Sequence, residues 1–139
     1  MNIERLNKLI GSYINNFEMI NNDVHDENMK WKAIYHFKNN FDINASDFYE
    51  MFKYAMSESS IIINNGTVQP INGILKLITH EPETMRQLFA MLYAEDNGDL
   101  DARQDKIERF VDEASKLLEK YERGKWRFKH DFRSVLAYL

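Results

Sequence analysis

Residues Lys30 to Ser57 read KWKAIYHFKNNFDINASDFYEMFKYAMS. The stretch holds Trp31 and, among its further rings, Tyr35, Phe37, Phe41, Phe48, Tyr49 and Phe52. Its apolar spacing predicts a helix, a short Asp42-Ile43-Asn44 turn and a second helix. The first of these starts from a cap at Asp23 or Asp26 and runs to about Asn40. Ile34, Phe37 and Phe41 lie along one side, with Trp31 and Tyr35 beside them. Asn44 is the predicted cap of the second helix. There Phe48, Met51, Phe52, Ala55 and Met56 follow the i, i+3, i+4, i+7, i+8 template of an amphipathic helix. Most of the rings therefore fall at core spacing on two facing helices.

The same period extends outward from this block. Ile3, Leu6, Ile10, Tyr13, Ile14 and Phe17 fall on one stripe of an amino-terminal helix. Ser57 to Gln69, with its serines, three isoleucines and Asn65-Gly66, is predicted as a loop or brief extended piece. Pro70 and Pro82 suit first positions of two further helices. The first runs through Thr79, and the second has Met85, Leu88, Phe89 and Leu92 as its apolar face. Asp96-Asn97-Gly98-Asp99 breaks that second helix. From Leu100 to Arg123 the apolar set Ile107, Phe110, Val111, Ala114, Leu117, Leu118 and Tyr121 predicts one long helix. Asp112/Lys116 and Glu119/Arg123 are its i, i+4 ion pairs, and Gly124 its terminator. A last helix starts near His130. The fold class is all-α: one domain over residues 1–139, a single bundle of six or seven helices with one long helix near the C-terminus.

Composition removes several function classes. At 139 residues and 44% hydrophobic, the chain can bury a core. It has no cysteine, which excludes a disulfide scaffold and thiolate zinc sites. Ile61-Ile62-Ile63 is the longest aliphatic run, far short of a membrane span. The start, MNIERLNKLIGSY, lacks the apolar core of a secretory signal. A cytoplasmic protein with no membrane partner is the expectation. The net charge of −4 argues against wholesale coating of nucleic acid but leaves a local basic face open.

No catalytic motif emerges, and neither a cofactor nor a metal is expected. The phosphate-cradling G-x-x-x-x-G-K-[ST] pattern is absent. An EF-hand with Gly98 at its sixth position would put Tyr93 and Gln104 where carboxylates belong. A helix break followed by an acidic first turn explains the same residues. His25, His36, His80 and His130 form no H-E-x-x-H arrangement. No serine sits in a nucleophile-elbow context. Asn44-Ala45-Ser46 and Asn65-Gly66-Thr67 match the glycan acceptor pattern and are read as a cap and a turn.

One segment departs from the acidic balance. Between Lys120 and Arg133 lie Lys120, Arg123, Lys125, Arg127, Lys129 and Arg133 against Glu122 and Asp131, a net +4. Trp126 and Phe128 alternate with the cations. Rings among Lys and Arg suit base stacking with phosphate contacts. They equally suit a helix junction whose rings pack inward while the long basic side chains stay in water. Lys120, Arg123, Lys125, Trp126, Arg127, Lys129 and Arg133 are the candidate nucleic-acid or partner contacts.

The block KWKAIYHFKNNFDINASDFYEMFKYAMSES resembles the amino-terminal helical region of McrB-like AAA+ ATPases, the nucleotide-hydrolysing subunits related to modified-cytosine restriction systems. The similarity continues through EPETMRQLFAMLY and DKIERFVDEASKLLEKYERGK, and the tail HDFRSVLAYL looks like the start of the next family segment. It covers most of the chain from Lys30 onward and rests on an aromatic and charge pattern. In that family the region precedes a motor whose hydrolysis drives DNA translocation and activates a partner nuclease. The resemblance thus implies a non-catalytic recognition or assembly module of a restriction-type AAA+ NTPase. Its implied partners are DNA and the motor or nuclease subunits of the same system. No motor residue carries over, because the chain has no Walker motif. The apolar run Ala137-Tyr138-Leu139 predicts a piece cut from a longer AAA+ protein, or a stand-alone relative. Two other readings stay open: a helical protein-interaction domain docking through aromatics such as Tyr49, Tyr54 or Trp126, and an enzyme without a legible motif.

Overall fold

The computed structural model describes residues 2–20, 28–64, 69–122 and 132–136. The elements are α1 (Ile3–Asn15), α2 (Phe17–Ile20), α3 (Met29–Asn40), α4 (Phe48–Ala55), α5 (Ser57–Ile63), α6 (Pro70–His80), α7 (Pro82–Tyr93), α8 (Leu100–Glu119) and α9 (Phe132–Leu136). The chain is all-α, with nine helices and no strand among the described residues. The count exceeds six or seven because two short helices, α2 and α5, stand beside the expected ones.

The Lys30–Ser57 block folds as its spacing predicts. α3 buries Ala33 and Phe37, and α4 buries Phe48, Phe52 and Ala55. Two details differ. α4 is capped by Asp47, whose side chain accepts from the Glu50 N–H at 2.9 Å. Asn44 instead donates its own backbone N–H to Asp42 Oδ1. Asp47 wins because it sits directly before the first helical residue, where its carboxylate reaches an N–H with no intrahelical partner. Trp31 and Tyr35 point away from the core face. One helical turn apart, they stand opposite Ala33 and Phe37 and are 66% and 67% exposed.

Residues 57–63 form a helix, not a loop. Met56 ends α4 and begins α5, and Ser59 and Ile63 are buried. Serine and isoleucine are weak helix formers, and packing against α3 decides the local structure. Asn65 and Gly66 lie outside the described residues, as do the proposed caps Asp23 and Asp26. α3 begins three residues beyond the second of these, after Asn28.

α6 is the central element. Opened by Pro70, it buries Ile71, Gly73, Ile74, Leu77 and Ile78 and touches α4, α5, α7, α8 and α9. The ring of Phe89 on α7 lies 5.1–6.0 Å from those of Phe41, Phe48, Phe52 and Phe110, joining the C-cap of α3 to α4 and α8 through one residue. Offset and edge contacts of this kind add to the gain from area burial alone.

Asp96-Asn97-Gly98 breaks the chain between α7 and α8. Asn97 and Gly98 take φ of 52° and 78°, the left-handed region that Asn and Gly tolerate. Asp96 accepts from the Gly98 N–H and faces Lys106 and Arg103 at 3.5 and 3.6 Å. The Gly98 N–H, with the two cations, holds its carboxyl below the usual range. Asp99 then caps α8 through the N–H groups of Asp101 and Ala102. α8 ends at Glu119, earlier than Arg123, because the chain there turns back onto α6 and α7. Lys116 pairs with Glu113 at 3.7 Å, one turn away, and not with Asp112. Arg123 and Gly124 lie outside the described residues.

α1 behaves differently. Its side chains are all unburied, and its main contact is with α2.

Candidate partner and nucleic-acid interface

The basic segment begins at a tightly held junction. The Tyr121 hydroxyl donates to Glu81 Oε1 at 2.5 Å, and its ring stacks on His80 at 4.3 Å and 5° between planes. That hydrogen bond lowers the Glu81 carboxyl pKa, with Lys120 adding to the effect, and raises that of the Tyr121 hydroxyl. Lys76 donates to Glu122 at 3.0 Å across the same joint. These contacts fasten the end of α8 to α6 and the turn before α7.

The described chain resumes at Phe132. Phe132 and Val135 of α9 are buried in the core against α6 and α8. Residues 123–131 therefore connect two anchored ends. Of the candidate contacts, Lys120 and Arg133 sit at these ends and both are exposed. Arg123, Lys125, Trp126, Arg127 and Lys129 lie outside the described residues.

A second surface is aromatic, and beside the expected Tyr54 it includes Trp31 and Tyr35, which the spacing places next to the core stripe. Trp31 and Tyr35 present two large rings to solvent on the outer side of α3. Tyr54 on α4 is 60% exposed and lies edge-on against His36, with centroids 5.0 Å apart. Tyr49 is half-buried beneath Lys53 and offers less surface. Helical position relative to Phe37 was the available signal: residues two before and six before it face away from whatever it packs on.

Two places test for chemistry. His36 lies 3.2 Å from Ser57 Oγ, and Asn40 Nδ2 lies 3.4 Å from its Nδ1. The resemblance to a nucleophile–base–orienter set ends there. The Asn40 amide donates to Nδ1, which leaves the ring proton on Nε2, and Nε2 donates to the Tyr54 carbonyl at 2.9 Å. An Nε2 that carries a proton cannot accept one from Ser57. The arrangement staples α3 to the α4–α5 joint.

An open groove of about 860 Å³ runs past Asp47, Tyr49, Thr79, Glu83 and Arg86. Its charged groups are already engaged. Asp47 caps α4, and Glu83 meets Arg86 at 3.3 Å. The Arg86 guanidinium lies over the Phe48 ring at 4.4 Å and donates to the carbonyls of Ile43 and Ala45. Arg86 thus clamps the turn that precedes α4.

Among the described residues no group of three or more His, Cys, Asp or Glu could hold a metal ion. No described helix is long and apolar enough to cross a membrane. No family model, no curated protein and no solved structure matches this chain.

Proposed function

We propose that this chain is a non-catalytic recognition and assembly module of a restriction-type AAA+ NTPase. In this reading it docks a motor or nuclease subunit of the same system. One observation carries the docking half: Trp31 and Tyr35, inside the block that resembles McrB-like proteins, point away from the core. Exposed aromatic residues of this kind are the usual anchors of protein interfaces. The reading requires AAA+ motor and nuclease subunits encoded with this chain, and it is tested by comigration with them; a genome without such genes would overturn it. Trp31→Ala with Tyr35→Ala is expected to abolish comigration with them while leaving thermal unfolding within about 0.5 kcal/mol of the parent, as for exposed sites. Comigration that survives the double substitution would sink the docking role.

A DNA contact is the second activity this reading includes. It is favoured by the exposed Lys120 and Arg133 at the anchored ends of the basic segment. Binding to methylated and unmethylated duplexes over a salt series tests it. Charge reversal as K125E, R127E and K129E is expected to flatten the isotherm. An unchanged isotherm assigns the chain to the alternative, a helical protein–protein interaction domain with no nucleic-acid role.

A further inference from the structure

α1 carries the longest run of exposed apolar side chains among the described residues. Taken at 3.6 residues per turn, Ile3, Leu6, Leu9, Ile10, Tyr13 and Ile14 fall within an arc of about 140°. Every polar residue of the helix falls outside that arc. Exposure along it runs from 38% at Leu6 to 67% at Ile3. Tyr13 and Phe17 meet edge to face at 5.9 Å, so the stripe continues across the junction into α2. An isolated helix of this length is marginal in water. Covering this face is what would stabilise it.

The sequence of the helix indicates the kind of cover. Ile3, Leu6, Ile10, Tyr13 and Phe17 are spaced alternately three and four apart, the heptad seam of paired helices. The positions flanking the seam are Asn2, Asn7, Leu9, Ile14 and Asn16, none of them charged. Two copies of the same face therefore meet without like charges, as an isologous contact requires. Glu4, Arg5, Lys8 and Glu18 lie on the outer side and balance one another. A helix built to lie on an anionic membrane has a cationic polar face, which this one lacks. The helix is about 20 Å long, and a seam of a few side chains is a small share of the roughly 20–30 residues a side of a standard interface. Pairing through it is accordingly weak and concentration-dependent.

We propose that α1 pairs with α1 of a second copy of this chain through Ile3, Leu6, Ile10 and Tyr13. The pairing does not depend on the restriction-module reading. Sedimentation equilibrium of the full 139-residue chain over a concentration series, with far-ultraviolet circular dichroism on the same samples, tests it. The mass is expected to rise from 16.6 kDa toward twice that value, with helical signal deepening in step. The double variant L6E/Y13E is expected to stay monomeric and to lose the concentration-dependent signal. It keeps the thermal transition of the body, because neither side chain is buried. S12E, on the outer side, keeps the association. A constant mass overturns the proposal, and so does a double variant that still dimerises. Helical signal that rises only with phosphatidylserine vesicles assigns the face to a membrane and overturns it. Amide protection of α1 in dilute, monomeric samples assigns the face to this chain's own body and overturns it as well.

Discussion

α8 and α1 are both amphipathic helices opened by a capping side chain, yet only α8 has its apolar face covered. α8 buries Phe110, Val111, Ala114, Leu117 and Leu118 against α6, α7 and α9. α1 buries nothing. Periodicity states that a helix has a face to cover and leaves open what covers it. The difference lies in topology. α8 follows α7 across a short break that holds the two helices side by side, with Asp96, Lys106 and the Ala94 carbonyl in contact. Among the described residues no comparable ion pair or hydrogen bond ties α1 to the ring cluster.

The largest expected contrast comes from truncating one apolar residue in each region. Phe89→Ala removes the ring shared by α3, α4, α7 and α8 and is expected to cost about 3–5 kcal/mol in chemical denaturation. Ile10→Ala in dilute solution is expected to leave that transition within about 0.5 kcal/mol. A comparable loss from Ile10→Ala would place α1 in the folding unit and erase the distinction.

A middle-sized effect is expected at the clamp before α4. Arg86→Met keeps the apolar stem over Phe48 and removes the donors to Ile43 and Ala45. The loss is expected to be about 1.5–3 kcal/mol, the range for hydrogen bonds to a charged group. Hydrogen exchange should quicken first in residues 42–48 and leave α1 untouched.

The smallest expected effect compares two caps of the same kind. Asp47 accepts from Glu50 N–H, and Asn2 accepts from Arg5 N–H, at 2.9 and 3.0 Å. Asp47→Ala is expected to lower global stability by about 1 kcal/mol. Asn2→Ala is expected to weaken the helical signal without moving the unfolding midpoint. Equal midpoint shifts would show that α1 unfolds with the body.

Much of the body was legible in the sequence because several signals agreed. Pro70 and Pro82 open helices where expected, Asn97 and Gly98 break one, and the Phe48–Met56 spacing describes α4. α5 was not legible. Ser57-Glu58-Ser59-Ser60 followed by three isoleucines has poor helix propensity, and the helix exists because α3 and the core receive Ser59 and Ile63. Ser59 is fully buried with no hydrogen-bond partner for its hydroxyl, so nothing polar about its site could have been inferred. The outward placement of Trp31 and Tyr35 was only half legible. Helical position puts them opposite Phe37, but aromatic character argues for burial. The charge run from Lys120 to Arg133 was plain in the sequence. Whether its cations converge depends on three-dimensional placement that no spacing encodes.

The position of Trp31 has an optical consequence. Among the described residues the ring cluster around Phe89 is built of phenylalanine and tyrosine and contains no indole. The other indole, Trp126, lies outside the described residues. Trp31 is two-thirds exposed, so its emission is that of an indole in water. Melting the core will scarcely change that emission, whereas anything that seats on the outer side of α3 will shift it to the blue. The chain thus carries its own fluorophore on the surface proposed for docking.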